Sequence, residues 1–95
     1  MNVTINKVEA PSYSKPVSIS QQFGQRLRKL RTERGYTQLQ LASEIGIDRS
    51  YLSDVERGVK NMTTCILYST ALALSMSLSD LFQTVGNNRM QERLN

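Results

Sequence analysis

At 95 residues the chain is the size of one small domain, near the lower end of what buries a self-sufficient core, so association with a second copy is expected from the start. Twelve Lys and Arg stand against eight Asp and Glu, and there is no histidine and a single cysteine, Cys65, which excludes an intramolecular disulfide and any Cys/His zinc site. No window approaches the roughly 20 apolar residues of a membrane span, and the opening MNVTINKVEAPSYSKP holds no apolar run of signal-peptide length, so a soluble, cytoplasmic protein with no metal or cofactor is expected.

The positive charge is uneven. Residues 1–18 carry +1, 19–61 carry +3, 62–86 carry −1 and 87–95 carry +1, which suits a polyanion partner in the middle of the chain without specifying one. Pro11 and Pro16, with Ser12, Ser14 and Ser18, disfavour helix and central strand, so residues 1–18 are expected to form a flexible arm. The alternation Val3, Thr4, Ile5, Asn6 inside it also fits a short strand.

From Ser20 a helical period takes over: Phe23, Leu27 and Leu30 recur at i, i+4, i+7 among Arg26, Arg28, Lys29 and Arg31, and Gly35 follows as a stop. Thr37 with Gln40 three residues later is a capping-box signature for a second helix, whose Leu41 and Ile45 face inward until Gly46. Asp48 is placed to cap a third helix, with Leu52 and Val55 inward and Gly58 at its end. Thr63 or Thr64 opens a fourth, with Leu67, Ala71 and Leu74 inward, and Ser77 a fifth, with Leu78, Leu81 and Phe82. The domain so defined runs over 19–86, with residues 87–95 as a tail.

Two short helices across a tight turn need a small residue where backbones approach, a residue able to take positive φ in the turn, and apolar residues to hold the second helix. Ala42, Gly46 and the set Leu41, Ile45, Ile47, Leu52 and Val55 supply these. With Gln38, Ala42, Gly46 and Glu56 at the family's spacings, the stretch from Phe23 to Phe82 resembles the Xre-type helix-turn-helix family of phage repressors and Cro proteins. DRSYLSDVERGVKN, Asp48 to Asn61, and ALSMSLSDLF, Ala73 to Phe82, resemble most the controller proteins of restriction-modification systems within it. The resemblance implies an all-α, five-helix, lambda-repressor-like domain that regulates transcription by binding a palindromic double-stranded DNA operator as a homodimer.

On that resemblance the third helix enters the major groove with its N-terminal residues at base edges. Arg49 has the fork for guanine O6 and N7, Ser50 donates or accepts, and Tyr51 is placed for a thymine methyl. Asp54 either accepts from a cytosine amino group or repels phosphate. The plain alternative for these residues is a solvated helix face. Gln38 resembles the family's bridge between a phosphate and the readout helix, and the helix starts near Thr37 and Thr63 offer free N–H groups to phosphates. Lys60, Asn61 and Thr63 resemble the phosphate-contacting loop; Arg57 either joins them or only complements its own helix dipole. Arg31 and Glu56 are expected, by the same resemblance, to form a structural ion pair.

The chain departs from the pattern on helix four. Thr64 and Thr70 stand where aliphatic residues are usual, and Tyr68 and Leu72 put apolar surface on a face usually polar, so either that helix is rotated or the face meets something. Ser75 replaces a common glycine, which implies mild strain if it takes positive φ. Cys65 is expected to be a small buried hydrophobe. An enzyme is not expected, for want of histidine, a phosphate-cradling glycine loop or paired carboxylates. Leu78, Phe82 and Val85 are the expected dimer contacts. The competing reading is an antitoxin that neutralises a partner protein through its arm or tail and autoregulates its operon; a second protein is also expected to find room at residues 1–18 or on helix four.

Overall fold

Ser18 starts the fold. Its hydroxyl accepts from the Gln21 N–H at 3.1 Å while the Gln21 side chain accepts from the Ser18 N–H at 3.2 Å, a capping box at the head of the longest helix. The computed structural model describes residues 18–86, and the regular elements among them are five helices: α1 (Ile19–Glu33), α2 (Gln38–Ile45), α3 (Arg49–Glu56), α4 (Thr64–Ala73) and α5 (Leu78–Leu81). The expected arm, apart from Ser18, and the expected tail lie outside the described residues. Ser18, placed in the arm by composition, is the N-cap of α1.

Helix α2 opens on the predicted capping box, with the Gln40 N–H donating to Thr37 Oγ1 at 3.0 Å and the Thr37 N–H to Gln40 Oε1 at 2.9 Å. Thr63, not Thr64, caps α4, and Ser77 caps α5. Asp48 takes the N-cap position of α3 with an extended backbone, but its side chain makes no capping bond. The first-turn N–H groups of α3 are therefore left without a side-chain acceptor.

Phe23, Leu27 and Leu30 of α1, Leu41 and Ala42 of α2, Leu52 and Val55 of α3, Met62 of the loop before α4, Ala71 of α4, Leu74 at its C-cap, and Leu81 of α5 form one core. Each buried leucine contributes roughly 1.5–3 kcal/mol relative to exposure. Phe82, half-buried, stacks on Phe23 with ring centroids 5.1 Å apart. Helix α3 lies between α1 and α2, and α4 packs on α2 and α5.

Two glycines set how the elements meet. Gly46 takes φ of +90° between α2 and α3, in open space, so the conformation itself selects glycine. Gly24 sits at the crossing of α1 and α3, where an added Cβ would lie 2.5 Å from the carbonyl oxygens of Val55 and Glu56.

Arginines on α1 close the ends of other helices. Arg26 donates to the Asp80 carbonyl at 2.7 Å, and Arg34, the C-cap of α1, to the Leu74 carbonyl at 2.9 Å, which adds a charged donor at the ends of α5 and α4. Part of the basic excess in 19–61 is thus internal fastening.

Helix four is not rotated. Thr70, Ala71 and Leu74 face the core and Leu67 is half-buried, while Tyr68 and Leu72 are 56% and 59% exposed. The buried Thr70 hydroxyl is satisfied by donating to the Ile66 carbonyl at 2.7 Å. Cys65 is exposed, contrary to the expectation of a buried thiol: it lies on the outer side of α4, three residues before Tyr68. Ser75 does take positive φ, at +57°.

Candidate nucleic-acid interface

The interface is built around an ion pair. Arg31 Nε donates to Glu56 Oε2 at 2.6 Å and Arg31 Nη2 to Glu56 Oε1 at 3.0 Å, a bidentate pair with side chains only 9% and 3% exposed. Arg31 also donates to the Tyr36 carbonyl at 2.8 Å, so the guanidinium pins α1, the α1–α2 loop and the end of α3 together. The predicted structural pair is formed.

The pair does not end there. Gln38 Nε2 donates to Glu56 Oε1 at 3.0 Å, and Gln38 Oε1 accepts from Arg49 Nη1 at 3.2 Å. Turning the amide over would set its oxygen against a carboxylate and its N–H groups against a guanidinium, so the orientation of Gln38 is dictated by its neighbours. A polar chain therefore runs from the interior to the exposed Arg49 on the first turn of α3, with Gln38, at the start of α2, as its middle link. The remaining N–H groups of Arg49 are available to a planar acceptor pair.

Ser50 is exposed beside Arg49. Tyr51 is half-buried and packed against the core, and its hydroxyl donates to the Asn61 carbonyl at 2.6 Å, tying α3 to the loop before α4. Its polar end is committed to the protein, leaving only ring surface for a thymine methyl. Asp54 accepts from Arg57 with one carboxylate oxygen and lies 3.4 Å from Lys60 Nζ with the other. Those bonds, that of Arg57 first and then that of Lys60, hold the Asp54 carboxyl below the usual carboxylate range.

The expected phosphate ligands lie at the starts of α2 and α4 and along the chain from the end of α3 to α4. Thr37 and Thr63 use their oxygens as cap acceptors, from the Gln40 and Ile66 N–H groups, which leaves each O–H proton to donate outward. Asn61 accepts from the Ser20 hydroxyl at 2.6 Å through its side-chain oxygen, which fixes the loop and leaves its NH2 group facing away from that bond. Arg57 and Lys60 are 64% and 56% exposed at their side chains, and both are engaged by Asp54. Leu78 is 38% exposed on α5, whereas Phe82 and Val85 are half-buried against the domain's own core.

Sequence reasoning missed the Gln38–Glu56 bond, because partners 18 residues apart leave no local signature. It also missed the Asp54–Arg57 pair, although i, i+3 opposite charges on a helix are a readable signal. Among the described residues no His, Cys, Asp and Glu cluster could hold a metal ion, and no helix is long and apolar enough to cross a membrane.

Residues 24–87 match the family model described as a helix-turn-helix domain. The chain belongs to that family. It is 43% identical over 56 residues to the immunity repressor of Bacillus phage phi105, covering 59% of this chain but only 39% of that longer protein. Among solved structures, the restriction-modification controller protein C.AhdI of Aeromonas hydrophila superposes with a TM-score of 0.65 at 44% identity, covering 66% of this chain and 96% of that one. The biofilm regulator SinR of Bacillus subtilis, solved in complex with DNA, superposes with a TM-score of 0.60 at 34% identity, covering 63% and 97%. The expected family, the kinship with controller proteins and the all-helical fold are borne out. The relatives are helix-turn-helix regulators, not enzymes.

Proposed function

We propose that the chain is a cytoplasmic, sequence-specific regulator of transcription that binds a palindromic double-stranded DNA operator with the N-terminal turn of α3 in the major groove. The observation that carries this is the polar chain Arg31–Glu56–Gln38–Arg49, which holds an exposed guanidinium in a defined direction at the one helix start, among the described residues, that has no side-chain cap. A pre-oriented fork is what bidentate recognition of guanine requires. Ser50 reads beside it, Asp54 and the ring of Tyr51 lie deeper along α3, and Thr37, Gln38, Arg57, Lys60, Asn61 and Thr63 face phosphates.

One readout helix covers only a few base pairs, so the domain acts as a C2 dimer, joined through the exposed Leu78 with Phe82 and Val85 beside it. The two copies of α3 then lie about 34 Å apart, one DNA turn. Selection of bound duplexes from a random pool is expected to return an inverted repeat with half-sites about 10–10.5 base pairs apart. An unstructured pool after selection, or a monomer in light scattering with undiminished operator affinity, would overturn the proposal.

The exposed Tyr68 and Leu72 on α4 favour one addition, a second protein bound there in the manner of an antitoxin's partner. Co-purification of such a protein from the native host, lost on Tyr68→Ser with Leu72→Ser, would support it, and purification of the chain alone under the same conditions would remove it.

A further inference from the structure

On α3 and the loop after it, Asp54 lies between two cations. Its side chain is 23% exposed, less than half the value for either Arg57 or Lys60, so the carboxylate is tucked beneath both of them. One oxygen takes Arg57 Nη2 and the other faces Lys60 Nζ at 3.4 Å. These are the two exposed cations that follow α3 in the chain, and the carboxylate bridges them. In the free protein the group of three therefore presents one net positive charge to an approaching polyanion instead of two.

We propose that Asp54 is a specificity-determining residue: it masks the charge of Arg57 and Lys60 from DNA in general and releases them to phosphates only where a base-edge donor takes their place on its carboxylate. The proposal rests on α3 being the readout helix. A carboxylate offers about four lone-pair sites and donates nothing, so the only base-edge group in the major groove that satisfies it is an amino N–H, best that of cytosine N4. Where no amino N–H of a cytosine or adenine faces it, drawing Arg57 and Lys60 onto phosphates leaves the carboxylate facing a polyanion with its partners withdrawn. Over cytosine the new hydrogen bond replaces what was lost, and both cations engage the backbone. Phosphate contacts normally carry no sequence information. Here the shared carboxylate makes them depend on one base pair. The depressed Asp54 carboxyl, with Arg57 as the larger cause and Lys60 as the smaller, is consistent with a group kept ionised for this role.

The test compares the full chain with Asp54→Asn on a random-sequence duplex and on the selected operator, each over a range of salt. Unmasking one phosphate contact steepens the log–log salt slope by about 0.9, which at 0.15 M salt is about fivefold tighter binding. Asp54→Asn should show that gain on the random duplex and none on the operator, so that the preference for the operator falls about fivefold or more. Unchanged or weaker binding to the random duplex overturns the proposal. A second variant does not depend on the folding of the first: Arg57→Gln with Lys60→Gln should flatten the random-duplex slope of the wild type by about 0.9, the value for one effective charge, and a flattening of about 1.8 overturns masking. Adding Asp54→Asn in that background should bring no gain, because there is no charge left to release. Arg49→Ala, run alongside, separates the two readings. If it costs no base preference, α3 is not the readout helix, while the random-duplex comparison still decides whether Asp54 masks charge.

Discussion

Replacing Glu56 by alanine removes the acceptor on which both the fold and the interface converge. Glu56 receives two bonds from Arg31 and one from Gln38, at 2.6, 3.0 and 3.0 Å, with its side chain 3% exposed. All three bonds end on a charged carboxylate and are worth roughly 1.5–3 kcal/mol each, which would sum to about 4.5–9 kcal/mol if they were independent. They are not independent, since Arg31 keeps its bond to the Tyr36 carbonyl and water can enter the vacated volume. The expected loss is therefore the ~3–5 kcal/mol typical of a broken buried pair. At about 4–8 °C per kcal/mol for a domain this small, even ~3 kcal/mol lowers the melting temperature by about 12–24 °C. Thermal and urea unfolding followed by circular dichroism measures it. Arg31→Met combined with Glu56→Leu should recover most of the loss, because apolar residues of similar volume leave no charge unpaired. A loss under about 1 kcal/mol for Glu56→Ala would show that the pair is hydrated in solution and would remove the anchor of the chain to Arg49.

Gly24→Ala should destabilise the fold by about 1–3 kcal/mol despite alanine's better helix propensity, because the new Cβ meets backbone oxygens that cannot swing away; denaturant midpoints check it. Gly46→Ala has open space and should cost only the roughly 1–2 kcal/mol of a left-handed conformation, with Gly46→Asn costing less. The Asp54 carboxyl should titrate below the ordinary carboxylate range in carbon-detected magnetic resonance. Because its folded pKa is lowered, its contribution to stability is present above the unfolded pKa and fades as pH falls through the folded value, and an Asp54 titrating at or above the ordinary value would contradict the bonds to Arg57 and Lys60. Removing residues 1–17 should leave the melting temperature of the helical domain nearly unchanged, since Ser18 and Gln21 supply its first cap and the core begins at Phe23; a chain that no longer folds would refute that boundary.

What the sequence shows and what it hides follow from the range of each interaction. Leucine spacing on α1 and α2, the Thr37–Gln40 box and the turn at Gly46 are local, and each was legible. Ser18 carries the same box signature with Gln21, but the prolines at 11 and 16 draw it into the arm when only composition is weighed. Helix α4 has apolar residues on all sides, Cys65, Ile66, Leu67, Tyr68, Ala71 and Leu72 among them, so period alone cannot say which side is inside, and Cys65 is assigned to the wrong one. The Arg31–Glu56 pair spans 25 residues and is legible only through family resemblance. The link from Glu56 through Gln38 to Arg49 depends on how α2 crosses α3, and nothing in the order of residues announces it.

The central claim is that Arg49, held by that link, reads a guanine. It is tested most directly by substituting 7-deazaguanine, which lacks the N7 acceptor, for each guanine of the selected operator in turn and measuring the affinity of the wild type and of Arg49→Ala. The account predicts that one guanine per half-site costs the wild type about 1–3 kcal/mol when changed, and that Arg49→Ala, already weaker by a similar amount, loses nothing more at that position. Equal further losses in both proteins at every guanine would contradict it.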